Sequence, residues 1–488
     1  MSGPESPTSL SIDRAPLIQP ISADASVLLA LHAAFTDRYP ALFESAAAGN
    51  ARTRYDILFA YPQGRLSLLR DGTLSGRTGA ADGAGQDARM PGAQGCAGPA
   101  RFLPALDHWW QAERVLPRTD NELPFSGGWL LYLGYELAGE IEPRLQLPLP
   151  AAGPIASAIR VPAAIIHERN SGQSWLVAEA GFEALLARMA NDLAHAPALL
   201  APRTPLVTGG VMEDAPERFL GSVERALNYI AAGDIYQANL SRSWQAKLSA
   251  GITPQHLYQR LRETNPAPFS GIARLEEITI VSSSPERLVS VRNGHASTRP
   301  IAGTHPRGQT AAADDDLARE LHAHPKERAE HVMLIDLERN DLGRICEAGT
   351  VKVDELMTIE SYAHVHHIVS NVSGTLRPDA TPGDVLRAVF PGGTITGCPK
   401  VRCMEIIAEL EGVARGAYTG SFGYLNRDGS MDTNILIRTL EVAGDQLTLR
   451  AGAGIVADSV PERELAETRA KARGVLRALG SDTEGASP

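Results

Sequence analysis

Past residue 210 the apolar side chains fall into helical step. Phe219, Val223, Ala226 and Ile230 recur at intervals of four, three and four, which puts them on one stripe of a helix. The same periodicity predicts helices over residues 178–197, a long one over 315–340 and a closing one over 461–479. Another starts near Pro399, which suits a first helical position, and carries Cys403, Ile406, Ile407 and Leu410 on one face until Gly412. Between these lie short runs rich in β-formers: Arg54 to Ala60, Gly127 to Gly134, Ala163 to His167, Ile278 to Ser283, His366 to Ser370, Gly420 to Leu425 and Met431 to Arg438. Gln446 to Arg450 reads as a strand entering a glycine turn at Ala451–Gly454. Residues 1–20 read as a loose tail, 74–100 as a Gly/Ala/Asp/Gln-rich surface loop, and 198–210 as a second linker. This divides the chain into an N-terminal region over 1–200 and a regular region over 211–482. Strand runs broken by helices in irregular order predict an α+β fold with helices on the outer faces of antiparallel sheets.

Charge narrows the function classes. Forty-six Lys and Arg against 57 Asp and Glu leave a net charge of −11, which disfavours a nucleic-acid or anionic-membrane surface. An anionic substrate would have to be drawn in locally. The N-terminus is polar, no run of 18 apolar residues occurs, and Cys96, Cys346, Cys398 and Cys403 lack metal or disulfide spacing. The expectation is a cytoplasmic chain with reduced thiols and no membrane.

Candidate chemistry concentrates in the C-terminal half. Glu464, Glu467 and Lys471 share one face of the closing helix, and Glu330 lies in the long helix. Each alone reads as a solvated surface acid. Together with the glycine segments Phe390–Lys400 and Ala451–Gly454, they suggest a Mg²⁺ site holding a small polycarboxylate, since Mg²⁺ takes one or two protein carboxylates and completes its shell with water and substrate. Arg438, ending a β-rich run, needs a carboxylate partner, from the protein or from a ligand. His366 and His367 are neighbours in a strand and point to opposite faces.

From about Glu217 to Leu479 these motifs together resemble the chorismate-utilising enzymes, which include anthranilate synthase component I, aminodeoxychorismate synthase component I and the isochorismate and salicylate synthases. Ser284-Pro-Glu-Arg287, Arg328-Ala-Glu330, Phe390 to Lys400, Ala451 to Gly454 and Glu464-Leu-Ala-Glu467 carry the resemblance. It implies a large α/β sandwich of two antiparallel sheets flanked by helices. It further implies Mg²⁺ on Glu330 and Glu467 with Glu464 in support, and Glu286 as the acid that protonates a departing C4 hydroxyl. His367 would lie beside the ring, with Thr304 close by. Tyr418, Arg438 and the Gly452–Ala453–Gly454 backbone would hold the enolpyruvyl carboxylate, and Thr394 and Lys471 would line the site.

One position separates aminating from hydrating members, which carry a lysine that activates water. Here the motif is Gly233-Asp-Ile-Tyr-Gln237, and a neutral Gln237 implies ammonia as nucleophile. A glutamine amidotransferase partner subunit would supply that ammonia. Several context motifs, Asn265 to Ser270 and Val365 to Ser370 among them, resemble the aminodeoxychorismate branch of 4-aminobenzoate and folate biosynthesis. Against them stands Ala302 in Arg299-Pro-Ile-Ala-Gly-Thr304, where that branch often has a nucleophilic lysine and anthranilate synthases have alanine. The context favours 4-amino-4-deoxychorismate as product. Anthranilate is the alternative, and a non-catalytic chorismate-binding scaffold a remoter one. Ser45, Arg54, Tyr55, Asp56, Ile57, Pro268, Phe269 and Ser270 resemble a tryptophan pocket, although Tyr55 could equally be plain core.

Overall fold

A computed structural model describes residues 15–46, 54–78, 101–117, 123–308, 310–361 and 365–480. The 74–100 loop reaches beyond that set. Of it, residues 74–78 form a strand paired with Gly64–Leu68 rather than loop.

Two antiparallel sheets form the frame. The first has 12 strands and runs from Leu17–Ile21 through Gln173–Ala178, Ala163–Glu168, Tyr55–Ala60 and Ala41–Glu44 to Phe269–Leu275, Ile278–Ser284, Thr439–Ala443, Gln446–Ile455, Gln237–Leu248 and Val207–Glu213, with Gly397–Cys398 attached to Gln237–Leu248. The second has 11. It begins with Ile301–Pro306 and Val365–Thr375, passes through His295–Thr298, Arg287–Arg292, Met431–Asn434 and Ser421–Asn426, and ends in four strands from before residue 162, with Lys352–Ser361 attached to Val365–Thr375. Strands from both halves of the sequence therefore share both sheets.

The sheets face each other over an apolar layer of Ile57, Phe59 and Ile166 from one and Leu130, Tyr132 and Ile159 from the other. Phe43 meets Phe422 edge-on at 4.4 Å across that layer, and Phe59 meets Phe125 at 4.9 Å. Helices close the outer faces. Ser26–Ala34, Ala184–Ala194, Pro254–Thr264 and Pro461–Ala478 cover the first sheet, while Phe102–Glu113, Pro325–Gly343 and Pro382–Val389 cover the second. The arrangement is the predicted sandwich of two antiparallel sheets flanked by helices.

Five further sequence expectations change. The tail expected over residues 1–20 includes the edge strand Leu17–Ile21, and the 198–210 linker ends in the strand Val207–Glu213. Residues 178–183 are strand end and turn before the Ala184–Ala194 helix. The long 315–340 helix is two helices, Ala311–Ala323 and Pro325–Gly343. The break has a local cause: a residue before proline is pushed out of helical geometry, and His324 sits at φ −68°, ψ 116°. Finally, Ala451–Gly454 is no turn, because the Gln446–Ile455 strand runs straight through it.

Candidate active site

The open end between the sheets is a cavity of about 630 Å³. Gln237, Gly452 and Gly454 reach it from the first sheet, and Ala302, Gly303 and His367 from the second. The Pro325–Gly343 helix contributes Glu327 and Glu330, and the Pro461–Ala478 helix contributes Glu464, Glu467 and Lys471. Glu286, Thr394, Tyr418 and Arg438 come from the connections between strands. Residues spread over more than 230 positions of sequence thus meet in one space.

Glu286 sits in the link that carries the chain from the first sheet to the second. It is 6% exposed, and its Oε1 accepts a 2.8 Å hydrogen bond from the Thr394 hydroxyl. Burial pushes its carboxyl up to about 7, against the opposing pull of Thr394, the Ile301 amide, Lys471 and Arg438. An acid poised near neutrality is what proton donation to a leaving hydroxyl requires. His367 is also buried, and its Nδ1 donates to the Gly303 carbonyl at 3.2 Å. Burial, then the nearby Arg438, lowers it to about 4, so the ring is neutral. Thr304 pairs with His367 across the strands. Arg438 takes φ +53°, and burial lowers its guanidinium below the usual arginine value while the Glu286 charge opposes that shift. Its backbone is strained there, and its side chain lines the cavity, where an anionic ligand would meet it.

The acids form the opposite wall. Gln237 Nε2 donates to Glu330 Oε1 at 3.1 Å, and Gln237 Oε1 is buried with no partner among the described residues. Burial raises the Glu330 carboxyl, and the charges of Glu327 and Glu467 add to the rise. Glu467 pairs with Lys471 at 2.7 Å, both side chains nearly half exposed, and Glu464 is buried beside them. Among the described residues no three His, Cys, Asp or Glu side chains converge tightly enough to enclose an ion. Two hard-oxygen carboxylates, Glu330 and Glu467, that face open space do suit Mg²⁺, which keeps water and substrate in its shell.

The glycines of the Gln446–Ile455 strand serve close approach. A Cβ at Gly452 would lie 2.6 Å from the Leu240 carbonyl and 2.7 Å from the Tyr418 hydroxyl. One at Gly454 would lie 2.5 Å from Gln237 Nε2. The Ala453 methyl faces away, into the core with Phe219 and Ile407, so only its backbone can serve a ligand. Behind Tyr418, buried Glu411 is gripped by Arg415 at 2.6 Å and by Arg450 at 3.0 Å, and it also accepts from Ser241.

Arg450 and Glu327 line the cavity, yet sequence patterning gives neither a role. An arginine inside a strand run and an acid in a charged helix carry no spacing signal. The helix end at Pro399 also differs from expectation. Pro399 is the cap of Lys400–Glu411, and Cys398, Pro399 and Lys400 face a separate outer groove. Lys400 is committed to Asp341 at 2.5 Å, so this end offers the main cavity no anion site.

A second, smaller cavity of about 160 Å³ is lined by Ser45, Arg54, Tyr55, Ile57, Pro268, Phe269 and Ser270. Asp56 lies beneath it, bonded to the Ser45 amide at 3.0 Å and to Arg169 at 2.7 Å. Pro285 and Ile301 border both cavities. His366, whose neighbour His367 faces the active cavity, is itself buried and held by Ser361 and Asp314 rather than lying at the surface.

Comparison with known proteins agrees with this geometry. The family model of chorismate binding enzymes matches residues 75–477. An anthranilate synthase component I-like protein from Synechocystis is 45% identical over 74% of either chain. Aminodeoxychorismate synthase component 1 from Bacillus subtilis is 41% identical over 77% of this chain and 82% of its own. The crystal structure of anthranilate synthase component I from Streptococcus pneumoniae superposes with a TM-score of 0.73 at 32% identity, covering 88% of this chain and 93% of that one. With its sandwich, its cavity and these relatives, the chain belongs to the chorismate-binding enzyme family.

Proposed function

We propose that this chain is the large subunit of an aminodeoxychorismate synthase, converting chorismate and ammonia to 4-amino-4-deoxychorismate and water. The observation that carries amination is Gln237. Its amide is anchored to Glu330 at the cavity wall and has no basic nitrogen with which to activate water. The nucleophile must then arrive as an amine. Among the described residues we find no glutaminase nucleophile with its paired histidine, so a partner glutamine amidotransferase would deliver ammonia in the cytoplasm. The Asn265–Ser270 and Val365–Ser370 contexts and the Bacillus relative favour the 4-amino product.

Arg438, beside the glycine strand and Tyr418, would receive the enolpyruvyl carboxylate. Glu330 and Glu467, with Glu464 alongside, would hold Mg²⁺, whose charge would offset that of the ring carboxylate. Glu286 gives its proton to the C4 hydroxyl as the C4–O bond breaks, and water leaves. Thr394 holds that carboxyl in place, and neutral His367 offers the ring no competing charge. Ala302 lines the cavity without a nucleophile, so a first ammonia would add at C2 as the C4 hydroxyl leaves as water, and a second would add at C4 and expel the first, giving the 4-amino product.

That same alanine favours a second reading. Ammonia adding at C2, followed by loss of the C4 hydroxyl as water and then of pyruvate, yields anthranilate, and the Synechocystis and Streptococcus relatives carry that name. The deciding experiment incubates the purified chain with chorismate, Mg²⁺ and an ammonium salt and identifies the product by chromatography and mass. A chorismate-like amine that a lyase converts to 4-aminobenzoate supports the first reading. Fluorescent anthranilate with pyruvate replaces it by the second.

A further inference from the structure

The helix Ala311–Ala323 joins two walls of the active cavity. It follows the strand carrying Ala302 and Gly303 and precedes the helix carrying Glu327 and Glu330. Of its described side chains only Leu321 is buried, packed with Met357 and Ile368. Leu321 also backs the cavity wall, since a Cβ on Gly303 would lie 2.8 Å from its Cδ1 and 3.0 Å from Glu327 Oε2. At the other end of the helix the hold is polar. Asp314 Oδ1 takes the 2.9 Å contact from His366 Nε2 and the Gly308 amide at 2.8 Å, and Arg307 clamps both carboxylate oxygens. Ser361 meets His366 Nδ1 at 2.8 Å. His366 is adjacent to His367 on one strand, so this clasp and the cavity face share a backbone.

We infer that Asp314 and His366 are positioning residues: their clasp seats the Ala311–Ala323 helix against the sheet and thereby sets the wall formed by Gly303, His367 and Glu327. Neither touches substrate, so the effect should fall on ground-state binding, because a displaced wall weakens the grip on the whole substrate. The hold is local to one lightly anchored helix, and its loss leaves the core packing untouched.

The inference rests on chorismate being the substrate, and the test separates the two. The full chain and the variants Asp314→Ala, His366→Leu, His366→Gln and the double Asp314→Ala/His366→Leu are assayed with chorismate, Mg²⁺ and ammonium chloride. Asp314→Ala and His366→Leu are expected to raise KM for chorismate about tenfold with kcat within about twofold. His366→Gln, whose amide can still donate to Asp314, should recover most of the loss. The double variant should be no worse than the worse single, as for two ends of one contact. Unchanged KM in both singles, or losses that multiply in the double, overturns the clasp. If the unaltered chain yields no aminated product, the amination reading fails instead. The clasp is then judged by the same pattern in the Kd for chorismate with Mg²⁺.

Discussion

Glu286 concentrates the chemistry in one carboxyl, and its environment makes two predictions. Burial holds it protonated up to about pH 7. At constant free ammonia, kcat should therefore fall as pH rises through that value, and Glu286→Gln should lower kcat by about 10²–10⁴-fold while chorismate still binds. The same shift bears on stability. Its folded value exceeds the unfolded one, so the folded state holds the proton more tightly, and the contribution is full below the unfolded value and lost as pH rises through about 7. Melting temperatures of wild type and Glu286→Gln, compared from pH 5 to 9, should show the variant gaining on wild type as pH rises. A constant difference would mean Glu286 titrates normally. At this scale the sequence was legible wherever a motif names a residue. Glu286, Glu330, Glu467 and Arg438, which the motifs single out, line one cavity. It was silent on Arg450 and Glu327, whose roles come only from what folds beside them.

Elements were readable where periodicity and capping agree, and obscure where a long-range partner overrides the local signal. The stripe from Cys403 to Leu410 is buried and ends at Gly412, which takes φ +61°. The Ala451–Gly454 run looked like a turn because four small residues in a row break strand propensity. It is strand because ten register pairs with the Gln237–Leu248 strand hold it extended, and glycine is needed there so that Tyr418 and Gln237 can close over it. Gly452→Ala should therefore push against the Leu240 carbonyl and the Tyr418 hydroxyl. It is expected to raise KM for chorismate more than tenfold and to destabilise the fold by about 1–3 kcal/mol. Steady-state kinetics alongside denaturant unfolding checks both, and an unaltered KM would show that the strand backbone does not carry the substrate. The Glu411 pairs behind the strand respond differently. Glu411→Gln leaves Arg415 and Arg450 buried without their anion, which costs about 3–5 kcal/mol, read as a lower midpoint of urea unfolding.

Across the whole molecule, the cavity exists because two sheets and two helices bring acidic walls together that would otherwise repel. The Pro325–Gly343 helix supplies Glu327 and Glu330, the Pro461–Ala478 helix supplies Glu464 and Glu467, and each helix packs on its own sheet. The strain is visible in Glu330, whose carboxyl is raised by burial and by its acidic neighbours. Lys471 offsets part of it, but its pair with Glu467 is close to half exposed and contributes little. On the proposed reading a cation completes this cluster, and binding to the folded state alone would stabilise it. Mg²⁺ together with chorismate should accordingly raise the melting temperature more than the sum of their separate effects, because each brings the charge the other lacks. EDTA should abolish turnover, and Mg²⁺ should restore it. Glu467→Gln makes the sharper test. It removes a repelling charge from Glu330, so the metal-free variant should melt no lower than wild type, while the Mg²⁺ concentration for half-maximal activity rises at least about tenfold. A variant that melts lower without metal and needs no more Mg²⁺ would make Glu467 a structural acid and leave the cation to Glu330 alone.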